Sequence, residues 1–450
     1  MLTAEQNELA TRTGPGTPAG RLLRCYWQPV ALAEELSGDR PLTGVSVLGE
    51  RLVLFRDEQG RLGLINRHCP HRGADLCYGR LEDGGVRCPF HGWLFDVGGQ
   101  CLEQPGEPEG STYFNHIRAT NYPCVERNGI VFAFLGEGQP PGFDRMDCFE
   151  APEEYTFAFK GHLECNWLQA LEVGIDPAHA SFLHRYSEAG DPGRTYGQQF
   201  RDTVGEDSIA MTTLLRQYPR PEIEVDRTGY GLRIRAIRRL ADGRRHVRVT
   251  NQLFPQAICI PMSSEMTITQ WHVPVDDTNC YWYALFTSFS APTDKNRMRS
   301  QRLELYELPH YVSRKNQRNH YGYDPAEQRT RTFTGMGDDI NVHDQWAVES
   351  MGAIQDRTRE HLGRTDAAIR EYRRCLLESI ADLEAGGLSA GAERLNGRFG
   401  PAAVDAISKG DGWREEWRDL DQERRTRCPW NADLASADTI GKTGTDHGRD

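Results

Sequence analysis

Two short segments, Cys69-Pro70-His71 and Cys88-Pro89-Phe90-His91, decide how the first third of this 450-residue chain folds. Sixteen residues separate His71 from Cys88, and each segment follows a strand-like run and lies in a loop rich in glycine and proline. Two such loops that face each other present two thiolates and two imidazoles to one metal centre. The four side chains could hold a tetrahedral Zn²⁺, or a [2Fe–2S] cluster with cysteine on one iron and histidine on the other.

The pairing within each loop separates these alternatives. Zinc sites favour cysteine paired with cysteine and then histidine with histidine. Here each loop carries one cysteine and one histidine, which suits a cluster whose two irons have different ligands. The pattern Cys-x-His, sixteen residues, Cys-x-x-His resembles the Rieske iron–sulfur motif. The resemblance implies that Cys69, His71, Cys88 and His91 bind a [2Fe–2S] cluster.

The apolar pattern predicts a small all-β domain around these loops. Apolar residues alternate with polar ones from 42 to 66, on both sides of a turn at 57–60. Asn128-Gly129 supplies the two positive φ values of a type I′ hairpin turn. Because residues 136–142 have the composition of a linker, we expect an N-terminal segment and Rieske domain over residues 1–142.

The rest of the chain predicts an α+β layer. We expect strands at 208–215, 230–239 and 245–254 and a long hairpin from 266 to 289. We expect helical structure at 166–185 and 343–385, and within the second range Thr365 is suited to be a helix N-cap. Consecutive strands without intervening helices favour an antiparallel sheet with helices packed on one side. We therefore expect a catalytic domain at 143–430 and a polar, disordered tail at 431–450.

A second constellation of titratable residues lies within the segment 166–184. On a regular helix Glu172, Asp176 and His179 share one face, and His184 lies about 140° from His179. Both histidines can bind one metal only if the helix is distorted or ends between them. Asp176 also fits a helix N-cap followed by a proline at the first helical position. Two imidazoles and one carboxylate form the facial triad of non-haem Fe(II) oxygenases.

The carboxylate of such a triad has to come from another part of the chain. The segment 337–349 offers Asp338 and Asp339, which suit a helix start, and Asp344, which shares a helix face with Val348 and can point inward. An acid near a helix N-terminus is also favoured by the helix dipole alone. We choose Asp344, because related families place the ligand aspartate in a segment like Asp-Gln-x-x-Val-x-Glu.

The order Glu172, Asp176, His179, His184 resembles the mononuclear iron motif of the Rieske non-haem iron oxygenases. From residue 1 to about 430 the chain is similar to their oxygenase (α) subunit, in the phthalate dioxygenase-like branch, as segments 1–7, 349–352 and 356–363 indicate. The resemblance implies a helix-grip catalytic domain, iron ligands His179, His184 and Asp344, and a homotrimer. In such a trimer, the resemblance implies that Asp176 accepts hydrogen bonds from His179 of its own chain and from His91 of the neighbouring subunit. Glu172 would support the iron site from a position behind its ligands.

The resemblance also implies the reaction and the partners. We expect O₂-dependent oxidation of an aromatic acid, foremost O-demethylation of a methoxylated, lignin-derived aromatic such as 5,5′-dehydrodivanillate, with release of formaldehyde. The alternatives are cis-dihydroxylation of the ring and, from another class, a zinc-binding module without catalysis. Since the chain has no convincing dinucleotide fingerprint, a separate reductase has to supply electrons from NAD(P)H.

Composition excludes several other classes. With 53 basic and 65 acidic residues the formal net charge is −12, which argues against nucleic-acid binding. The sequence contains no run of 18 apolar residues for a membrane helix and does not begin like a secretory signal, so we expect a cytoplasmic protein. Twelve cysteines are too sparse for a disulfide scaffold.

Overall fold

The computed structural model describes residues 1–193, 210–387, 400–408 and 412–430 of the chain. It begins with two short helices, Ala4–Thr11 (α1) and Pro18–Arg24 (α2). The hydroxyls of Thr3 and Thr17 each accept a backbone N–H from the first turn of the following helix. Each cap satisfies a donor that the start of a helix leaves unpaired.

Ten short strands form three small antiparallel sheets in the N-terminal part. They are Trp27–Leu32 (β1), Leu42–Val47 (β2), Glu50–Arg56 (β3), Leu62–Asn66 (β4), Arg80–Glu82 (β5), Gly85–Arg87 (β6), Leu94–Asp96 (β7), Cys101–Glu103 (β8), Cys124–Arg127 (β9) and Ile130–Phe134 (β10). The sheet orders are β2-β3-β4, β5-β6-β7-β8 and β1-β10-β9. The predicted hairpin is confirmed, because Asn128 (φ 46°) and Gly129 (φ 83°) join β9 to β10.

One large sheet dominates the second part of the chain. Its strands are Thr156–Leu163 (β11), Glu222–Thr228 (β12), Gly231–Arg239 (β13), Arg245–Leu253 (β14), Ala257–Pro261 (β15), Met266–Pro274 (β16), Cys280–Ser288 (β17), Tyr306–Glu307 (β18), Val312–Ser313 (β19) and Val404–Ser408 (β20). The order is β12-β13-β14-β15-β16-β17-β11-β19-β18, with β20 beside β14. Only the β11–β19 pair is parallel among the described strands, so the predicted antiparallel α+β class is confirmed.

Helices cover this sheet and place the site. They are Asp147–Glu150 (α3), Trp167–Ile175 (α4), Met211–Gln217 (α5), Lys295–Leu303 (α6), Pro325–Thr330 (α7), Ile340–Glu349 (α8), Ala367–Glu384 (α9) and Trp413–Arg427 (α10). The helix α4 buries Trp167, Leu168 and Leu171 and packs between strands β14–β17 on one side and α8 on the other. Within the described ranges, no helix is both long and apolar enough to span a bilayer.

The predicted strands were correct except at one place. The strands at 230–239 and 245–254 are β13 and β14, and the long hairpin is β16 and β17, which the turn at 276–279 separates. The strand predicted at 208–215 is wrong, because residues 211–217 form the helix α5. Met211 and Leu215 lie one turn apart and bury against Ala180 and Ile340, so tertiary contact selects the helical period. Residues 208 and 209 and the tail at 431–450 lie outside the described residues.

Both long predicted helices are shorter than expected. The helix predicted at 166–185 ends at Ile175, and the one predicted at 343–385 is two helices, α8 and α9, with a loop and a short 3₁₀ turn between them. Gly352 in that loop has a φ of 91°, a conformation that ends regular helix and that glycine adopts at little cost. The residue that precedes α9 is Asp366 rather than Thr365.

Candidate functional site

The two cysteine loops share one backbone geometry. In each, the cysteine N–H donates to the carbonyl five residues later, and a glycine N–H four residues later donates back to the cysteine carbonyl, at 2.8–2.9 Å. The glycines, Gly73 (φ 79°) and Gly92 (φ 75°), adopt left-handed conformations that close these turns. The loops follow β4 and β6, so the small sheets hold them side by side.

The four predicted cluster ligands come together at the tip of this domain. Cys69 and Cys88 are buried, and burial together with the adjacent Cys88 thiol raises the pKa of Cys69 to about 12. The rings of His71 and His91 lie outside them with centroids 4.5 Å apart, and Trp93 stacks on His71 at 4.4 Å. Two inner thiols and two outer imidazoles match the donor set of a [2Fe–2S] cluster in which two cysteines bind one iron and two histidines bind the other.

A second group forms where α4 ends. Proline disfavours helical backbone at the residue before it, and Asp176, which precedes Pro177, is extended (φ −86°, ψ 109°). Asp176 is therefore the C-cap of α4 and not the N-cap that the sequence suggested. Because the helix has ended, the chain turns through a short 3₁₀ segment at His179–Ser181, and the rings of His179 and His184 approach to 5.2 Å.

Asp344 of α8 completes this group. Its Oδ1 lies 3.2 Å from Nε2 of His184 and 3.7 Å from Nε2 of His179, and one ligand atom from each residue lies within 4.8 Å of the others. That oxygen is buried without a hydrogen bond of good geometry. Burial would raise the pKa of Asp344, but the two imidazoles outweigh it and hold the pKa below its usual value. A buried carboxylate oxygen that faces two imidazole nitrogens suits a divalent metal.

Asp176 lies beside this group, but its contacts differ from the expected ones. Nδ1 of His179 hydrogen-bonds the main-chain carbonyl of Asp176, whereas the carboxylate Oδ2 is 3.9 Å from that nitrogen. The other carboxylate oxygen accepts the N–H of Ala178 at 2.7 Å. The backbone carbonyl therefore orients His179, and the Asp176 carboxylate stays half-exposed at the surface.

Glu172 lies one turn earlier in α4, in a buried ion-pair network. Its oxygens accept bonds from Arg357 at 2.9 Å and Arg373 at 2.5 Å, and Arg373 also pairs with Glu360. Burial would raise the pKa of Glu172, but the two guanidinium groups outweigh it and lower the pKa. Arg357 also donates to Asn7 at 3.2 Å, so this network ties α4 to α9, to the loop after α8 and to α1.

Comparison with known proteins shows the family of the chain. Residues 26–123 match the Rieske [2Fe–2S] domain, and residues 133–432 match the family described as LigXa C-terminal domain like. The phthalate 4,5-dioxygenase oxygenase subunit of Pseudomonas putida is 33% identical over 97% of this chain and 98% of its own length. The chain belongs to the Rieske oxygenases. It is an oxygenase subunit of this family, whose members carry a [2Fe–2S] cluster and a mononuclear iron site.

Further relatives of this Rieske oxygenase are named for other activities. The 5,5′-dehydrodivanillate O-demethylase oxygenase subunit of a Sphingobium species is 30% identical over 86% of this chain and 82% of its own. Among solved structures, Pseudomonas putida CBB5 NdmA with caffeine has a TM-score of 0.56 at 18% identity, and covers 88% of this chain and 99% of its own. That likeness shows the fold.

A cavity of about 110 Å³ in the Rieske oxygenase lies between α4 and the sheet. His179, His184 and Asp344 line one side of it, and apolar side chains including Val173 and Ile258 line most of the rest. A second, open cavity of about 770 Å³ lies on the other side of α4 and also reaches His179. The candidate iron site therefore separates an enclosed space from an open one.

Sequence reasoning missed two histidines near this centre. His343 is the neighbour of Asp344, and its Nδ1 lies 3.2 Å from Nδ1 of His184. His272 lies on β16 and lines the enclosed cavity. The position of His343 beside the chosen aspartate was a usable signal. His272 had none, because only the folding of the sheet over α4 brings it to the site.

Three arginines of the large sheet, Arg233, Arg235 and Arg248, could in principle bind a substrate carboxylate, but they have other partners. Arg235 pairs with two acids of β12, and Arg233 stacks on Trp417. Arg248 lines the enclosed cavity but bonds Asp405 and the carbonyl of Pro261. Their contacts make them structural residues of the sheet.

Replacing Glu172 with alanine should lower the free energy of unfolding by about 3–5 kcal/mol, because it leaves two buried guanidinium groups without their carboxylate. Urea denaturation followed by circular dichroism measures this change. The matched control is Glu153→Ala, which removes an exposed ion pair with Lys295 and should cost less than about 1 kcal/mol. Equal effects of the two substitutions would contradict a structural role for the network.

Proposed function

We propose that this Rieske oxygenase oxidises an aromatic acid with O₂, and that its main reaction is O-demethylation of a methoxylated, lignin-derived aromatic of the 5,5′-dehydrodivanillate kind. The observation that carries the proposal is the group formed by His179, His184 and Asp344, whose ligand atoms lie within 4.8 Å of one another beside a cavity with many apolar side chains. The relation to an O-demethylase across 86% of the chain supports the choice of reaction.

We propose the ligands of the sequence analysis for the two iron sites. Cys69, Cys88, His71 and His91 would hold the cluster, and His179, His184 and Asp344 would hold the iron. When bound, the iron supplies O₂ activation with electrons that the cluster delivers. The protein would contribute the orientation of these ligands, a cavity with many apolar side chains and groups that position the substrate.

His272 is the group that we propose to recognise a polar substituent of the substrate. Its side chain is buried, and neither ring nitrogen has a hydrogen-bond partner among the described residues. Burial outweighs the attraction of Asp344 and lowers the pKa of His272 to about 3, so the ring is neutral and offers one donor and one acceptor. A hydroxyl group on the ring of the substrate can pair with either nitrogen, and a carboxylate can accept from the N–H.

Demethylation and dihydroxylation differ in where oxygen enters the substrate. Insertion of one oxygen atom into a methoxy C–H bond gives a hemiacetal, which collapses to a phenol and formaldehyde, while the second oxygen atom leaves as water with two electrons and two protons. Addition of both oxygen atoms to a ring gives a cis-diol. The second reaction stays a candidate because the phthalate 4,5-dioxygenase relative is 33% identical over 97% of the chain.

Turnover of a panel of aromatic acids decides between these reactions. The holoenzyme, with an added NAD(P)H-dependent reductase, should release one formaldehyde per O₂ consumed from methoxylated benzoates. The unmethoxylated analogues serve as matched controls and should give none. A diol product without formaldehyde would make dihydroxylation the main reaction instead of demethylation. A colourless protein that contains zinc and no labile sulfide would exclude both reactions.

Replacing His272 with leucine should weaken substrate binding without weakening the fold. Loss of the hydrogen bond should raise KM by about 5- to 150-fold, equivalent to about 1–3 kcal/mol. The substrate-free protein should melt at an equal or higher temperature, since an unpartnered buried imidazole has been replaced by an apolar group. Steady-state kinetics and calorimetry measure the two quantities.

The control for this prediction is His246→Leu. His246 is equally buried, but its Nε2 bonds Asp405 at 3.0 Å, so its removal should lower the melting temperature and leave KM unchanged. If His272→Leu instead lowered the melting temperature and left KM unchanged, His272 would be a structural residue.

The proposed assembly is a homotrimer in which the cluster of one subunit serves the iron of the next, with a separate NAD(P)H-dependent reductase as the electron source. Two exposed aromatic surfaces support this arrangement. One lies beside His91 and contains Phe90, with Tyr113 near Trp93. The other borders the open cavity near Asp176 and contains Phe182, Phe333, Trp346 and Met351. Exposed apolar groups clustered in this way indicate interaction sites. The half-buried carboxylate of Asp176 would accept the bond from His91 of the neighbour.

Mixed oligomers test this route for electrons. A Cys69→Ser subunit should lack the cluster, and an Asp344→Ala subunit should lack the iron, so each alone should be inactive. Their co-expression should restore part of the activity, because a mixed trimer places an intact cluster beside an intact iron site. Co-expression of Asp344→Ala with His179→Ala is the control and should stay inactive. Activity that never returns in the first mixture would contradict transfer between subunits.

A further inference from the structure

His343, the residue before Asp344, is hydrogen-bonded to the imidazole of His184. His343 is 1% exposed, and its Nδ1 lies 3.2 Å from Nδ1 of His184, with the two rings nearly parallel. On its other side, Nε2 of His343 lies 2.9 Å from the carbonyl oxygen of Gly337. Two consecutive residues of α8 thus contact both nitrogens of one imidazole, His343 at Nδ1 and Asp344 at Nε2.

The carbonyl of Gly337 determines where the protons are. A carbonyl oxygen only accepts hydrogen bonds, so Nε2 of His343 carries a proton and donates it. A neutral imidazole has one N–H, and therefore Nδ1 of His343 has a lone pair that accepts from Nδ1–H of His184. His184 then has its own lone pair on Nε2, which lies on the side of Asp344 and His179.

The accepting carbonyl is itself held in place. The N–H of Gly337 donates to Oε1 of Glu327 at 2.9 Å, and Lys315 donates to the carbonyl of Met336 at 2.8 Å. Asp339 then caps α8 by accepting the N–H of Asn341 at 2.8 Å. The loop before α8 is therefore fixed from both sides, and the direction of the His343 ring follows from it.

We propose that His343 is a positioning residue that sets the tautomer and the ring orientation of His184 for metal binding through Nε2. This inference rests on the proposed role of His184 as an iron ligand. Partners of ligand histidines fix the tautomer in this way in many metal sites, and their loss lowers metal affinity or activity by about 10- to 100-fold.

Two amide variants separate the two bonds of His343. The Oδ1 of an asparagine side chain can replace Nδ1 of histidine, so His343→Asn should keep the acceptor for His184 and lose the bond to Gly337. The Nε2 of glutamine can replace the other nitrogen, so His343→Gln should keep the bond to Gly337 and lose the acceptor. His343→Leu loses both bonds.

The measurement is anaerobic equilibrium dialysis of Fe(II) against the purified full-length chain, with labile sulfide per chain as the control for an intact Rieske domain. We expect His343→Asn to bind Fe(II) within a few-fold of the wild type, and His343→Gln and His343→Leu to bind about 10- to 100-fold more weakly. Sulfide content should stay unchanged in all three variants.

The outcomes distinguish this inference from the proposed function. Equal Fe(II) affinity in all variants would overturn the positioning role. So would Fe(II) affinity that is retained by His343→Gln and lost by His343→Asn, because that result would mean that binding depends on the hydrogen bond to Gly337. Failure of the wild type itself to bind Fe(II) at a second site beyond the cluster would instead overturn the proposed iron site.

Discussion

The end of α4 at Asp176 is the constraint on which the candidate metal site depends. A helix that continued past residue 176 would place His179 and His184 on different faces, and no single ion could reach both. Pro177 forces the preceding residue out of helical conformation, and the following short turn brings the two imidazoles to 5.2 Å. The packing of α8 against α4 then places Asp344 beside both rings.

A buried ion-pair network lies beside this break in the helix. Glu172 is held by Arg357 and Arg373, which anchors the last turn of α4 to α9. Such networks are costly to disrupt and add little over apolar packing, so their value here lies in the position they give to α4. The one oxygen without a good hydrogen bond in this group, Oδ1 of Asp344, is the one that faces the histidines.

Much of the fold and the chemistry was predictable from local patterns. The spacing of Cys69, His71, Cys88 and His91 indicated the Rieske domain, and alternating apolar residues predicted the hairpins and the antiparallel sheet. The wrong predictions have a common cause. Residues 211–217 and the ends of the two long helices were judged by local periodicity, whereas burial against distant residues and breaks at Pro177 and in the loop after α8 determined their structure.

The sequence by itself determined the identity and the order of the metal-binding residue types, because ligand chemistry and spacing are local properties of the chain. Only the tertiary structure decided which groups surround them. His343 reaches His184 across 159 positions of sequence, and His272 enters the cavity from the middle of β16. The packing of a sheet and two helices creates these contacts, since the side chains that meet there come from segments with no local pattern in common.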